Sequence, residues 1–313
     1  MNIPTIKKTI KKLLGIPNID IRGFDYGGEP DVHSHALSVA NRIRGAGRDS
    51  AVIIHGVAPR SGTVYVGELL KLHPDFSAYP NNMWEIPFLE TTGDLKDAQS
   101  HFFRAYKQNQ ERMGPDDFMP LFGSSLLAYL HSYVPEGKRM LLKIPDVRHL
   151  DCFYAVFPQE YPLLLLRDGR DLVASTIKTW PKDDFSDVCR LWDYGAKMIL
   201  AFGQYYKNSE RKFLIVKYED ILDSPESFVK SVCNEFGLDP HYYPFDDIVD
   251  VSVRGSSRAA QKDGGVTWDA QKKPSNFNPV GHWLDWSDYQ KRVFKEIAGQ
   301  SLIDTGYCEN NDW

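Results

Sequence analysis

Long apolar runs, paired cysteines and an excess of charge of either sign are what this sequence has least of. No stretch approaches the roughly 20 apolar residues that a membrane-spanning helix needs, and no signal-peptide pattern opens the chain, so the expectation is a cytoplasmic protein. The four cysteines, Cys152, Cys189, Cys233 and Cys308, are widely spaced with no CxxC pair. Neither a disulfide framework nor a zinc site is implied, and they read as reduced, mostly buried thiols. His33 and His35 in "DVHSH" come nearest to a metal pair and read as surface loop residues; no metal is expected. Lys and Arg number 37 against 42 Asp and Glu, a net charge of −5. That balance supplies no global field for nucleic acid or an anionic membrane, so an anion site has to be built locally.

What is present is a large apolar fraction in an ordered alternation. With 42% hydrophobic residues over 313 positions, one large domain with peripheral additions is expected: residues 1–50 as an N-terminal arm with helices, 51–313 as a single domain. The opening "MNIPTIKKTIKKLLGI" sets Ile3, Ile6, Ile10 and Leu13 on one helical face, with Lys7, Lys8, Lys11 and Lys12 mostly elsewhere. This suits a terminal helix packed on its own domain or a partner, and residues 1–16 as a membrane-surface contact are the lesser alternative. A homodimer is left open.

From residue 51, short runs rich in Val, Ile and Leu alternate with amphipathic segments. Strands are expected at 51–56, 140–144, 162–166 and 213–217, with "FSAYP" extended. Helices are expected at 63–72, across most of 97–133, around 147–156, and at 170–179, 186–207, 225–236 and from about Ser287. Leu172, Val173, Ile177 and Trp180 form one stripe; Phe228, Val229, Val232, Cys233 and Phe236 form another, between Ser224 as N-cap and Gly237 as stop. Tyr289, Val293 and Ile297 recur by one turn near the C-terminus. The fold class is therefore α/β, a largely parallel central sheet flanked by helices, whose ligands sit at the carboxyl ends of the strands.

"GVAPRSGT", residues 56–63, lies between the first strand and its helix. A nucleoside-triphosphate loop needs Gly, four residues, then Gly-Lys-Ser/Thr, and here Ser61 and Gly62 stand where the Gly and Lys should. The missing lysine weighs against a P-loop kinase or NTPase, which stays the enzymatic alternative; a non-catalytic nucleotide-binding protein is the other. What remains is Arg60 before the amides of Ser61, Gly62, Thr63 and Val64 and the hydroxyls of Ser61 and Thr63, a set suited to a terminal oxyanion at a helix N-terminus. In "LLLLRDGRDLVAS", Arg167 ends a strand and Ser175 rides the next helix, suited to a second phosphate. Against that stands a plain ion pair within "RDGRD" and an exposed serine. Further on, Arg254, Ser256, Ser257 and Arg258 in "VRGSSR" read either as a solvated loop or as a donor or acceptor clamp.

Taken together, "APRSGTVYVGELLKLHPD" and "LLLLRDGRDLVAS" resemble the sulfotransferases that use 3′-phosphoadenosine 5′-phosphosulfate (PAPS) and release 3′-phosphoadenosine 5′-phosphate (PAP). "IVKYEDILDSPESFVKSVCNEFGL" and "VGHWLDWSDYQKRVFKEIAGQSLIDTGY" extend the likeness from residue 51 to residue 307. It implies the P-loop-like sulfotransferase fold, with the first loop holding the 5′-phosphosulfate and Arg167 with Ser175 holding the 3′-phosphate. Arg60, standing where many members have lysine, has an electrostatic role only, since a guanidinium does not give up its proton. Glu85 in "NNMWEIPFLE" takes the place of the glutamate base found in related carbohydrate and protein sulfotransferases, with Glu90 as competitor. Another branch of the family uses a histidine after a lysine. Here "LLKIPDVRHLD" departs from that pattern, leaving Lys143 and Asp146 as wall residues and His149 as runner-up base. Gly281 and Trp283 resemble the family's Gly-x-Trp, with Trp283 either stacking near adenine or anchoring the core. The aromatic residues Trp84, Phe88, Phe102, Phe103 and Tyr106 are either core, as aromatics at helical spacing more often are, or walls for a carbohydrate, peptide or small-molecule acceptor.

Overall fold

The computed structural model describes residues 30–44, 49–78, 85–106, 108, 113–252, 272 and 278–313. Five strands, β1 (Val52–Gly56), β2 (Phe76–Ala78), β3 (Arg139–Ile144), β4 (Tyr161–Leu166) and β5 (Leu214–Lys217), form one parallel sheet in the order β2-β3-β1-β4-β5. In the middle strand Ile54 lies beside Lys143 of β3 and Leu163 of β4. Being covered on both faces, β1 shows no polar alternation, and His55 is its one polar interruption. The chain leaves β1 toward β2 and β3, then crosses to β4 and β5. Strand order therefore reverses between β1 and β4, and a crevice opens where their carboxyl ends diverge.

Side-chain alternation divides the core in two. Ile53, Leu142, Leu164 and Leu166 pack under α4 (Phe118–His131), α5 (Phe153–Val156), α6 (Gly169–Thr179), α7 (Phe185–Tyr206) and α10 (Asp288–Asp304). Val52, Ile54, Leu141, Leu163 and Leu165 face α2 (Thr63–Leu70), α8 (Tyr218–Asp223) and α9 (Pro225–Phe236). Two further helices, α1 (Pro30–Arg44) and α3 (Thr92–Ala105), lie outside these layers. A buried ion pair from Arg44 to Glu160, which also accepts the Ala51 amide, ties α1 to the sheet end opposite the crevice.

The α/β class and the parallel sheet agree with the expectation; three local features differ. The helix expected around 147–156 is a turn, a 3₁₀ segment at Leu150–Cys152 and the single turn of α5, because His149 adopts a left-handed conformation with φ 57°. In α10 the buried stripe is Phe294, Ala298 and Leu302, one residue on from the one expected, and Tyr289 is exposed. At α9 Ser224 takes the N-cap position and Gly237 the left-handed C-cap, yet the Ser224 hydroxyl meets Ser227 rather than a helix amide. A missing cap costs about 1 kcal/mol. Five apolar side chains are buried, and Phe228, Val229, Val232 and Phe236 alone, at about 2 kcal/mol each, outweigh it, so packing holds this helix. Cys152, Cys189 and Cys233 are buried and unpaired, with Cys308 half-buried. Among the described residues no helix is long and apolar enough to cross a membrane.

Candidate active site

The loop after β1 is rigid by construction. Val57 donates its amide to Leu165 of β4, and Gly195 of α7 packs so closely beneath that an added Cβ would stand 2.0 Å from the Val57 carbonyl oxygen. Trp192, one turn earlier on α7 and fully buried, donates its indole N–H to the Arg167 carbonyl at 3.0 Å. One helix thus supports both the β1 and the β4 loops at the crevice.

Within the loop Ser61 corrects an expectation. Its hydroxyl donates to the Ala58 carbonyl and accepts the Ala58 amide, and its own amide returns to Ala58 O at 3.2 Å. Ser61 is a staple of the turn and not an open anion donor. The first free amides belong to Gly62, Thr63, Val64 and Tyr65, which open α2 ahead of its first intrahelical acceptor. Gly62 has φ 95°, and a Cβ there would lie 2.4 Å from the Tyr218 ring, so both conformation and contact require glycine. Arg60 has φ 77°, a left-handed backbone in a residue with a full side chain, as occurs where surrounding structure imposes a functional geometry.

Arg60, Ser175 and Arg167 come together. The Arg60 Nε–H donates to Ser175 Oγ at 3.2 Å, and its guanidinium lies 6.0 Å from the Trp180 ring centroid. Arg167 donates from Nη1 to the Arg60 carbonyl at 2.6 Å and from Nη2 to the Pro279 carbonyl at 2.8 Å. Its Nε–H is buried with no acceptor, and its plane lies 5.1 Å from the Tyr218 ring centroid. Ser175 is buried rather than exposed. The ion pair within "RDGRD" does exist, but it joins Arg170 to Asp168 at 2.6 Å and leaves Arg167 out of it. Among the described residues neither Arg60 nor Arg167 has a carboxylate within salt-bridge distance. Two cations are held side by side with neutral groups as their direct partners, and the Asp171 and Glu219 carboxylates act on Arg167 only from beyond salt-bridge distance. Burial, and then the Arg167 cation, lower the Arg60 pKa to about 10.

Over β3 the charges are different. Glu85 accepts from Lys143 Nζ at 3.1 Å; the lysine is buried on β3 and the carboxylate keeps about a third of its surface exposed. Arg148 holds both Glu90, at 2.6 Å, and Asp146. Burial and then Asp146 raise the Glu90 carboxyl pKa, against the pull of Arg148. His149 sits in the exposed turn beyond, with Asp151, Lys96 and Arg148 as its charged neighbours. The sheet edge is therefore cationic over β1 and β4 and rich in carboxylates over β3.

Trp283 has packing partners on the protein. Its half-buried ring lies 4.1 Å from the Arg170 guanidinium, which covers one face, and edge-on to Trp313 at 5.1 Å between centroids. Phe102 and Phe103 join Phe118 in an aromatic cluster, Phe88 packs on Phe157, and Tyr106 is exposed. Arg254, Ser256, Ser257, Arg258, His33's side chain and Trp84 lie outside the described residues.

The sequence reading missed Tyr218, His55 and Asp171. Tyr218, directly after β5, packs on Gly62 and Arg167; an aromatic residue at a strand's carboxyl end was the available signal. His55 donates from Nδ1 to the Asp146 carbonyl at 2.9 Å, which leaves Nε2 as a buried acceptor with no partner. Asp171 accepts two backbone amides from 110 and 111 residues away. Among the described residues no group of three or more His, Cys, Asp or Glu is arranged to hold a metal ion.

Comparison with known proteins places this geometry in context. A model of the "Sulfotransferase family" matches residues 52–242. Protein-tyrosine sulfotransferase A of Caenorhabditis elegans is 23% identical over 273 residues, 82% of this chain and 67% of that protein. Nodulation protein NoeE of Sinorhizobium fredii (strain NBRC 101917 / NGR234) is 26% identical over 207 residues, 58% of this chain and 49% of that protein. The chain thus spans two thirds of the first relative and about half of the second. Among solved structures, mouse sulfotransferase SULT7A1 complexed with PAP aligns over 88% of this chain and 91% of its own, at 15% identity and a TM-score of 0.46.

Proposed function

The chain belongs to the sulfotransferase family, and from that membership we propose that it transfers a sulfuryl group from PAPS to an acceptor hydroxyl by in-line displacement. The observation that carries the donor assignment is the pair of guanidiniums, half-buried Arg60 and buried Arg167, joined through the Arg60 carbonyl and without a carboxylate within salt-bridge distance among the described residues. Two cations so placed repel each other, and a buried arginine N–H without an acceptor is costly. A bisphosphorylated nucleotide relieves both. The residues present therefore fit PAPS, which when bound supplies a sulfuryl group already activated by its 5′-phosphate leaving group.

In this reading Arg60 and the amides of Gly62, Thr63 and Val64 hold the 5′-phosphate and offset the negative charge that grows on it as the sulfur–oxygen bond breaks. Arg167 and Ser175 hold the 3′-phosphate. Arg254, Ser256, Ser257 and Arg258, which lie outside the described residues, are assigned as a donor or acceptor clamp on the chemistry of their side chains alone. Glu85 takes the acceptor proton as the new oxygen–sulfur bond forms, and Lys143, which donates to its carboxylate, fixes the position of that base. His149 is the alternative base. Residues 51–313 act as one catalytic domain onto which α1 is docked, and the acceptor is a carbohydrate, peptide or small-molecule alcohol.

The test is binding followed by turnover. PAP is expected to raise the unfolding temperature where ATP with Mg²⁺ does not, and radiolabelled sulfate is expected to pass from PAPS to members of an acceptor panel. Stabilisation by ATP with Mg²⁺ alone would return the chain to the kinase reading. Arg167→Ala is expected to abolish the preference for PAP over adenosine 5′-phosphate (AMP); an unchanged preference removes the second phosphate site.

A further inference from the structure

We infer that Asp171 is a positioning residue of the donor site: its buried carboxylate grips the backbone of residues 281–282 and thereby holds Arg167 in the orientation that reads a 3′-phosphate. The inference rests on the proposed binding of the 3′-phosphate by Arg167.

Asp171 lies in the first turn of α6, but the cap of that helix is Asp168, whose side chain accepts the Arg170 amide. Asp171 is 1% exposed and spends both carboxylate oxygens elsewhere. Oδ2 accepts the Gly281 amide at 2.8 Å and Oδ1 the His282 amide at 2.7 Å. Gly281 has φ 83°, and this left-handed turn is what points two successive amides at one carboxylate. Burying a carboxylate is unfavourable, and its pKa is raised chiefly by that burial. Two charge-assisted hydrogen bonds are the return for it, and the helix needs neither.

The gripped segment reaches the proposed phosphate site two residues earlier. Pro279 is buried and its carbonyl accepts Arg167 Nη2, while Nη1 is fixed on the Arg60 carbonyl. With both terminal nitrogens held by carbonyls, the guanidinium plane is set and the unpartnered Nε–H is kept free for an anion. A second fastening holds the same segment from the far side. Arg170, paired with Asp168, lies against Trp283 at 4.1 Å and Trp313 at 4.8 Å. Without the Asp171 carboxylate the Pro279 carbonyl loses its place, and Arg167 loses one of its two guides.

Asp171→Asn tests this, since the amide keeps the size but turns an N–H toward one of the two backbone N–H groups. Titration calorimetry of the full chain with PAP and with AMP gives the ratio of their affinities, which does not depend on the folded fraction. The expected result is a fall in that ratio of about tenfold with AMP affinity nearly unchanged; an unchanged ratio overturns the inference. Arg167→Ala run in parallel separates the two readings. If it too leaves the ratio unchanged, the phosphate assignment itself fails, whereas loss of the ratio in Arg167→Ala alone refutes only the role of Asp171. Should Asp171→Asn not fold, hydrogen exchange of the wild-type chain decides: PAP is expected to protect the amides of Gly281 and His282 more than AMP does, by the reciprocity of coupled binding. Equal protection by the two nucleotides overturns the inference.

Discussion

Replacing Arg60 by methionine separates what the site does from what the fold needs. Both side chains are long and unbranched at Cβ, so the left-handed backbone at this position, φ 77°, is equally awkward for each. The change removes a half-buried cation whose pKa is lowered from 12.5 to about 10 by desolvation and by Arg167. Two and a half pKa units correspond to about 3 kcal/mol between the charged and neutral forms. The residue keeps some exposure, so solvent screening reduces this to about 2 kcal/mol. Methionine forfeits the hydrogen bond to Ser175, about 1 kcal/mol, and the distant contact with Trp180, at most about 0.5 kcal/mol. The nucleotide-free variant is therefore expected to match the wild type or exceed its stability by about 1 kcal/mol.

Ligand reverses the order. A nucleotide at a hundred times its dissociation constant stabilises the folded wild type by about 2.7 kcal/mol, and the variant, which has lost a principal phosphate contact, gains much less. Urea unfolding with and without PAP measures both, with the midpoint moving and the slope constant if only stability has changed. Turnover of the variant is expected to fall by about 10²–10³, the usual cost of losing a preorganised charge opposite a leaving group. If the nucleotide-free variant is less stable than the wild type by more than 1 kcal/mol, the Arg60 charge is already satisfied within the protein, and the argument from uncompensated cations is wrong.

The convergence of Arg60, Arg167 and Ser175, proposed as the donor half of the site, was readable in the sequence because its parts are local. Arg60 and Gly62 share one turn, and Arg167 and Ser175 are separated by two turns of one helix and the end of one strand. The sheet was readable for a similar reason: strands covered on both faces must be apolar throughout, and helices between them must carry a stripe. Ser61 escaped because a serine in such a loop reads the same whether its hydroxyl faces outward or back to Ala58. Asp171 and Trp192 escaped because their work is done at long range, on amides 110 residues away and on a carbonyl at the end of another element. An acid in the first turn of a helix looks like a dipole partner until the donors it accepts from are traced. Over β3 the same limit applied more strongly. That Lys143 meets Glu85, 58 positions earlier, depends on where an irregular segment returns to the sheet, and no periodicity encodes it.

Two further substitutions probe the carboxylate-rich half of the edge and the strand behind it. Glu85→Gln keeps the shape and the contact with Lys143 but removes the base; kcat is expected to fall by about 10²–10⁴ while PAP affinity stays within about twofold, and unchanged kcat transfers the role to His149. His55→Asn bears on acid stability. The His55 ring is fully buried against Phe153 and the Asp146 carbonyl, and desolvation lowers its pKa from 6.5 to about 4 in spite of the favourable Asp146 contacts. Between those two values the unfolded chain binds a proton that the folded chain refuses, so stability falls as pH falls through this window. Integrated to pH 4.5, the loss from this one residue is about 2.5 kcal/mol. Asparagine retains an N–H donor for the Asp146 carbonyl and cannot titrate. The difference in unfolding free energy between variant and wild type is therefore expected to shift in the variant's favour by about 2.5 kcal/mol between pH 7 and pH 4.5, every other titrating group being common to both proteins. A difference that stays constant with pH would mean that the ring is protonated in the folded state, with its Nε2–H served by a partner that the packing around β1 does not reveal.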